Sequence, residues 1–422
     1  MTTYPLPTVV AVARTLSPYY RKLYAGLPDT GWALADLPVV EQAAFWDPAV
    51  PIEAQLTGPL SDGIVFKSGG TTGSPKFSVF TAEEWTAFVS AFGESLTANG
   101  LHSGMRVANL FYAGELYASF LFLHDSLRQA LSNVVEFPIS GQADLAFIAK
   151  SLKDFSIDVV LGVPTTILKL AELVRETGMT GLKVQRILYG GEDLYDDQRA
   201  FIASVFPGAH ITSVGIASVD GALIGYCDPT CGPHEHRVFG RHTIVEIVDD
   251  ATGLPIEAPG QEGRVLLTNL TRLLMPIIRY PSGDRARWID PPGTEDRRFR
   301  LLGRSDDGAR IGPMTLYVED VHHVLEPYTE RAGISGFQLV VTHQGRLDRM
   351  TLRIGTGDPA AAAAHTAQIS AAIYAARPMF GELLHKDLVH PLEVEWVSGR
   401  ELETNPRTGK LRRVIDRRQD GA

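Results

Sequence analysis

Between residues 61 and 220, short apolar runs alternate with longer amphipathic stretches. Gly63-Ile64-Val65-Phe66 reads as a strand, followed by a loop of Gly, Thr and Ser. The apolar spacing over 82–99 predicts a helix, with Thr81 as its N-cap. Residues 106–111 read as a buried strand, 117–131 as a helix, 159–164 as a strand and 165–177 as a helix. Strand 184–189 and helix 196–205 complete the series. Repeated strand-then-helix units predict a parallel, layered α/β sheet. Such sheets bind ligands at the carboxyl ends of their strands. Upstream, residues 8–27 read as one helix.

After about residue 234 the pattern changes. Residues 243–248 and 263–268 alternate as antiparallel strands joined by turn-rich segments, and a break falls near Gly303. Beyond it, 318–325 and 360–376 read as helices and 337–342 and 350–354 as strands. The expected class is α/β. A large N-terminal domain over 1–303 combines layered α/β sheets with a β-rich subdomain. A small, mobile α+β domain covers 304–422.

Composition narrows the function. The 422 residues are 45% hydrophobic and 21% charged, which excludes a disordered chain, a collagen-like fibre and a disulfide scaffold. Thirty-nine basic against 49 acidic side chains leave a net charge of −10. That balance argues against nucleic acid and an anionic membrane as partners. Two cysteines and an N-terminus with no basic residue before its apolar stretch are expected of a soluble, cytoplasmic protein.

The densest candidate chemistry is Lys67-Ser68-Gly69-Gly70-Thr71-Thr72-Gly73-Ser74-Pro75-Lys76. Glycines let backbone approach an anion, while hydroxyls and lysines supply hydrogen bonds and charge. The spacing is neither that of a Walker A loop nor that of a dinucleotide turn. This loop resembles the [ST]-[SG]-G-T-T-G-x-P-K phosphate loop of the adenylate-forming ligases. Leu16-Ser17-Pro18-Tyr19-Tyr20-Arg21-Lys22-Leu23 and Leu37-Pro38-Val39-Val40 resemble the phenylacetate–CoA ligase branch. Closer still are compact aryl-acid-activating relatives in phenazine-type antibiotic pathways.

The resemblance implies roles in chain order. Ser68, Gly69, Gly70, Thr71, Thr72, Gly73 and Lys76 hold phosphates. Gly191 and Glu192, in Tyr189-Gly190-Gly191-Glu192, lie against adenine. The family's aromatic-Gly-x-[ST]-Glu motif is altered to Ile216-Ala217-Ser218-Val219-Asp220. Ile216 packs on the purine in place of a stacking ring, and Asp220 is the Mg²⁺ ligand, since that cation takes hard oxygen donors. Another register, through Val214-Gly215, leaves Ser218 in the acidic slot. In Arg279-Tyr280-Pro281-Ser282-Gly283-Asp284, Asp284 holds the ribose hydroxyls. Gly303-Arg304-Ser305-Asp306-Asp307 matches the family's hinge, with Arg304 reaching phosphate or ribose and Asp306 as pivot. Asn405-Pro406-Arg407-Thr408-Gly409-Lys410 matches P-x-T-G-K, making Lys410 the catalytic lysine.

On the acyl side, Tyr112, Ala113 and Gly114 follow a core strand and suit either a flat aromatic slot or core packing. Cys227, Cys231, His234 and His236 fall within ten positions; thiolate and imidazole suit Zn²⁺, and His234 alternatively lines the acyl pocket. The implied reaction is ATP–Mg²⁺-dependent activation of a small, aromatic carboxylic acid, followed by transfer to CoA or a carrier-protein pantetheine. An acyl carrier protein and a homodimer are the corresponding partners. Amide or N–N bond formation, and nucleotide or acyl binding without turnover, are the alternatives.

Overall fold

The computed structural model describes residues 2–68, 76–304, 308–311, 314–344 and 347–418. Packing divides the chain into two units. The first comprises Met1–Val163, Gly181–Asp193 and Ala209–Ser305. Its five-stranded sheet is parallel throughout, in the order Val135–Phe137, Arg106–Asn109, Val159–Gly162, Arg186–Tyr189, His210–Ser213. Val159–Gly162 is buried along its whole length, as a central strand covered on both faces must be. The class is thus the α/β one expected.

The helix Ala82–Ala98 begins as its sequence directs. Thr81 Oγ1 accepts the Glu84 N–H at 3.1 Å, and Glu84 Oε2 accepts the Thr81 N–H at 3.0 Å, closing a capping box. Its apolar face buries Phe88, Val89 and Phe92, which join Phe66, Phe80 and Phe122 in an aromatic-rich core. The stretch read as one helix over 8–27 is instead two, Leu6–Leu16 and Pro18–Leu23. Pro18 lacks the N–H that would continue the first, and Ser17 caps the second.

A seven-stranded antiparallel sheet follows, running from Thr243–Val248 at one edge to Ile216–Ser218 at the other. A separate hairpin, Ile64–Lys67 with Phe77–Phe80, flanks the glycine-rich loop. At its far end Gly63 has φ +101°, and an added Cβ would meet the Phe80 carbonyl oxygen at 2.0 Å. Gly63→Ala therefore forces this hairpin apart. It should lower stability by about 2–4 kcal/mol, read as a reduced thermal midpoint.

The second unit comprises Pro164–Thr180, Leu194–Gly208 and Asp306–Ala422. Its four-stranded sheet runs Glu393–Ser398, Leu347–Thr356, Ile334–Gln344, Val414–Asp416, with the central pair antiparallel and both outer pairs parallel. Val321, Leu325, Ile369, Ile373 and Phe380 from helices pack with Leu339, Met350 and Leu352 of this sheet. The stretch read as one helix over 360–376 is broken into Pro359–Ala362, a 3₁₀ turn Ala363–His365, and Thr366–Ala376. Among the described residues no helix is long and apolar enough to cross a membrane.

Candidate active site

The hairpin closes the mouth of the glycine-rich loop. The Ser68 N–H donates to the Lys76 carbonyl at 2.8 Å, and the Lys76 N–H donates to Ser68 Oγ at 3.1 Å. Gly69, Gly70, Thr71, Thr72 and Gly73 lie outside the described residues. Lys76 points from this mouth into a polar cluster. Its ammonium donates to Asp220 Oδ2 at 2.9 Å, to the Tyr280 hydroxyl at 3.0 Å and to Gln42 Oε1 at 3.3 Å.

Asp220 is buried in the turn after Ile216–Ser218. Burial acts to raise its carboxyl. The Lys76 ammonium and hydrogen bonds from Tyr280, Lys76 and Ser218 outweigh that and hold it below the usual carboxylate range. Tyr280 donates to Asp220 Oδ2 at 2.6 Å and accepts the Trp46 indole N–H at 2.9 Å. Asp220 supplies hard oxygen, with the Ser218 hydroxyl beside it, and this donor set fits Mg²⁺.

Beneath the cluster lies Arg272, fully buried. It donates to the Asp220 carbonyl at 3.1 Å, to Ser78 Oγ at 2.9 Å and to the Val79 carbonyl at 3.0 Å. Its guanidinium lies over the Phe80 ring at 4.0 Å. Burial pulls its pKa down to about 10, opposed by Glu84 and Asp220, so it stays protonated at neutral pH. Glu84 accepts the next two backbone N–H groups, of Leu273 and Leu274, at 2.7 and 2.8 Å. The helix cap is thereby tied to the segment carrying Arg272.

Of the remaining predicted nucleotide residues, Gly191 and Glu192 follow one strand, Ile216 begins another and Asp284 lies midway along a third. Gly191 takes φ +83° after Arg186–Tyr189, and Glu192 is half-buried beside it. Ile216 packs against the apolar core of the seven-stranded sheet. Asp284 stands opposite Arg304 in antiparallel register, and its N–H donates to Ser282 Oγ at 3.1 Å. Asp306 lies outside the described residues. Arg279 serves the framework: it pairs with buried Glu246 at 3.1 Å and donates to the Ala35 and Leu37 carbonyls.

On the acyl side, Tyr112 is buried and donates its hydroxyl to the Gly141 carbonyl at 2.9 Å. Ala113 is half-buried and Gly114, at φ +120°, exposed. In the second unit, Lys410 ends a tight turn. Asn405 Oδ1 accepts the Arg407 and Thr408 N–H groups, and the Asn405 carbonyl accepts that of Gly409. Gly409 supplies the φ of +67°. The Lys410 backbone closes the turn through Asn405 N–H and Thr408 Oγ1, and its side chain is half-buried.

The zinc reading of Cys227, Cys231, His234 and His236 is corrected. Among the described residues no three His, Cys, Asp or Glu side chains form a group able to hold a metal ion. Cys227 is buried, donates to the Glu235 carbonyl at 3.4 Å and lies in hydrogen-bond contact with Cys231, which also donates to Asp228 Oδ1 at 3.6 Å. His234, at φ +60°, lies 3.8 Å from Asp193. His236 is buried, with Nε2 hydrogen-bonded to Ser213 Oγ at 3.0 Å and its ring stacked on Phe299.

Burial, reinforced by nearby His234, pushes the His236 imidazole down to about 4. The folded protein therefore holds it neutral while the unfolded chain protonates it near 6.5. This contribution is complete above pH 6.5 and is lost as pH falls towards 4, by about 3 kcal/mol in all. His236→Gln should flatten the change in urea midpoint between pH 7.5 and pH 5 relative to the natural protein.

Sequence reasoning missed Gln42, Trp46, Arg272 and a role for Tyr280. The signal for Arg272 was a lone charge in the apolar run from Leu270 to Ile278. Gln42 and Trp46 carried none.

No family model matches the chain. It is 27% identical over 374 residues to a phenylacetate–coenzyme A ligase of Thermus thermophilus, covering 84% of this chain and 80% of that protein. It is 26% identical over 424 residues to that of Aromatoleum evansii, covering 95% and 90%. The solved structure of a 2-hydroxyisobutyryl-CoA ligase in its postadenylation state, in complex with R3-HIB-AMP, shares the fold. Its TM-score is 0.73 at 20% identity, over 97% of this chain and 88% of that one. The chain is thus similar to adenylate-forming ligases of the phenylacetate–CoA ligase branch, and these likenesses support an AMP-forming acid–CoA ligase as its class.

Proposed function

We propose that the protein activates an aromatic carboxylic acid with ATP and Mg²⁺ and passes the acyl group to a thiol, of CoA or of a carrier-protein pantetheine, in natural-product biosynthesis. A carboxylate oxygen attacks the α-phosphorus, and the bond from that phosphorus to the pyrophosphate oxygen breaks. The thiol sulfur then attacks the acyl carbon, loses its proton, and AMP departs. The observation that carries this reading is the meeting of Lys76, at the mouth of the glycine-rich loop, with Asp220 at 2.9 Å. A cation for phosphate and a carboxylate for the metal thus share one partly buried cluster.

The roles follow. The loop Ser68–Gly73 with Lys76 receives the leaving phosphates. Gly191, Glu192 and Ile216 border the adenine, and Asp284 with Arg304 the ribose and α-phosphate. Asp220 would hold Mg²⁺, which would supply neutralisation of phosphate charge. Lys410 neutralises charge developing between the carboxylate and the α-phosphate. Asp306 is the pivot of the small domain beyond residue 303. Tyr112, Ala113 and Gly114 form the acyl slot.

Pyrophosphate release measured across aryl and short alkyl acids, then split between CoA, pantetheine and amine acceptors, tests the reading. Aryl-acid-dependent release followed by thiol-dependent loss of the adenylate is expected. Release from no acid overturns adenylation, and AMP release that needs an amine overturns the thiol step.

A further inference from the structure

The hydrogen-bond directions around Tyr280 are forced by chemistry. An indole N–H and an ammonium can only donate. Trp46 at 2.9 Å and Lys76 at 3.0 Å therefore fill both lone pairs of the Tyr280 oxygen. Its single proton has one place to go, Asp220 Oδ2 at 2.6 Å. Lys76 donates to the same Oδ2 at 2.9 Å, while the Gly221 N–H donates to Oδ1 at 3.2 Å and the Ser218 hydroxyl also hydrogen-bonds the carboxylate. Asp220 is thus held on one oxygen by two donors of different kind. One carries a charge that opposes a second cation, and the other is neutral.

We propose that Tyr280, keyed by Trp46, is a positioning residue for Asp220: its neutral bond fixes the carboxylate while leaving the negative charge available to a divalent cation once Lys76 turns to phosphate. The proposal rests on reading Asp220 as the metal ligand. Tyr280 touches no reacting atom. It replaces, without adding charge, the restraint that Lys76 withdraws. Trp46 contributes by occupying a lone pair, so the hydroxyl cannot rotate away from Asp220.

The test is direct binding. Mn²⁺ is titrated calorimetrically into the full chain with a non-hydrolysable ATP analogue, for the natural protein and for Tyr280→Phe, Trp46→Phe and Asp220→Asn. Tyr280→Phe should weaken Mn²⁺ binding about tenfold, the scale of one hydrogen bond to a charged group. Trp46→Phe should weaken it about threefold, and metal-free binding of the analogue should stay unchanged in both. A purely structural role lowers the thermal midpoint and leaves Mn²⁺ affinity in place, and that result overturns the proposal. If Asp220→Asn binds Mn²⁺ like the natural protein, the metal assignment fails. If Asp220→Asn loses the metal while Tyr280→Phe keeps it, the assignment stands and the positioning role alone is rejected.

Discussion

Lys410→Ala should reduce acid-dependent pyrophosphate release by at least about a hundredfold, with the fold unchanged. The magnitude follows from the position assigned to the ammonium, beside charge that develops between a carboxylate and a phosphate. Removing one such preorganised group costs about 3 kcal/mol or more. The structure makes the test clean. The turn that presents Lys410 is built by the Asn405 side chain, by Gly409 at φ +67°, and by the Lys410 backbone. Alanine keeps every one of those bonds. Lys410→Arg keeps the charge but replaces a compact ammonium by a wide fork, so only partial activity should return. Single-turnover pyrophosphate release separates these cases. Consumption of a preformed acyl-adenylate by the thiol should survive in both variants, since the carboxylate's attack on the α-phosphate, the step Lys410 assists, is already complete. Equal loss of both steps would assign Lys410 a general structural role instead.

What the sequence revealed and what it hid divide along range. The parallel sheet was legible because each strand-then-helix unit is written in consecutive residues. Thr81 was legible as a cap because capping acts over three residues. Two helices were misread as longer than they are. At Pro18 the missing N–H overrides an apolar spacing that continues across it. In the alanine-rich run, strong intrinsic propensity predicted one helix across what is a 3₁₀ turn. The polar cluster was only half legible. Lys76 and Asp220 stood in motifs, but Gln42 and Trp46 lie on a short helix and its end, far away in the chain. Nothing local marks them, because their meaning arises only where four distant segments meet. Zinc failed for the converse reason. Four suitable side chains stood close in sequence, but the left-handed turn at His234 and the strand Glu235–Val238 take the two histidines to other partners, Asp193 and Ser213.

Arg272→Ala should be the most damaging single change to the fold of the first unit. The side chain is fully buried, charged, and donates to three acceptors from two other segments: the Asp220 carbonyl, Ser78 Oγ and the Val79 carbonyl. Truncation leaves those acceptors unpaired and opens a void against the Phe80 ring. It also strips the interior of the cation that faces Glu84 and Asp220. Losing one partner of a buried charge network costs about 3–5 kcal/mol. For a unit of this size that lowers the thermal midpoint by about 6–15 °C. Arg272→Met separates the two parts of the loss. It refills the space against Phe80 but supplies no donor, so it should recover the packing part and leave the polar part. Arg272→Lys keeps the charge but reaches fewer of the three acceptors, and should fall between Met and the natural residue. If Arg272→Met matches the natural protein in a thermal melt, packing alone accounts for the stability. The Asp220 turn would then stand without its buried anchor.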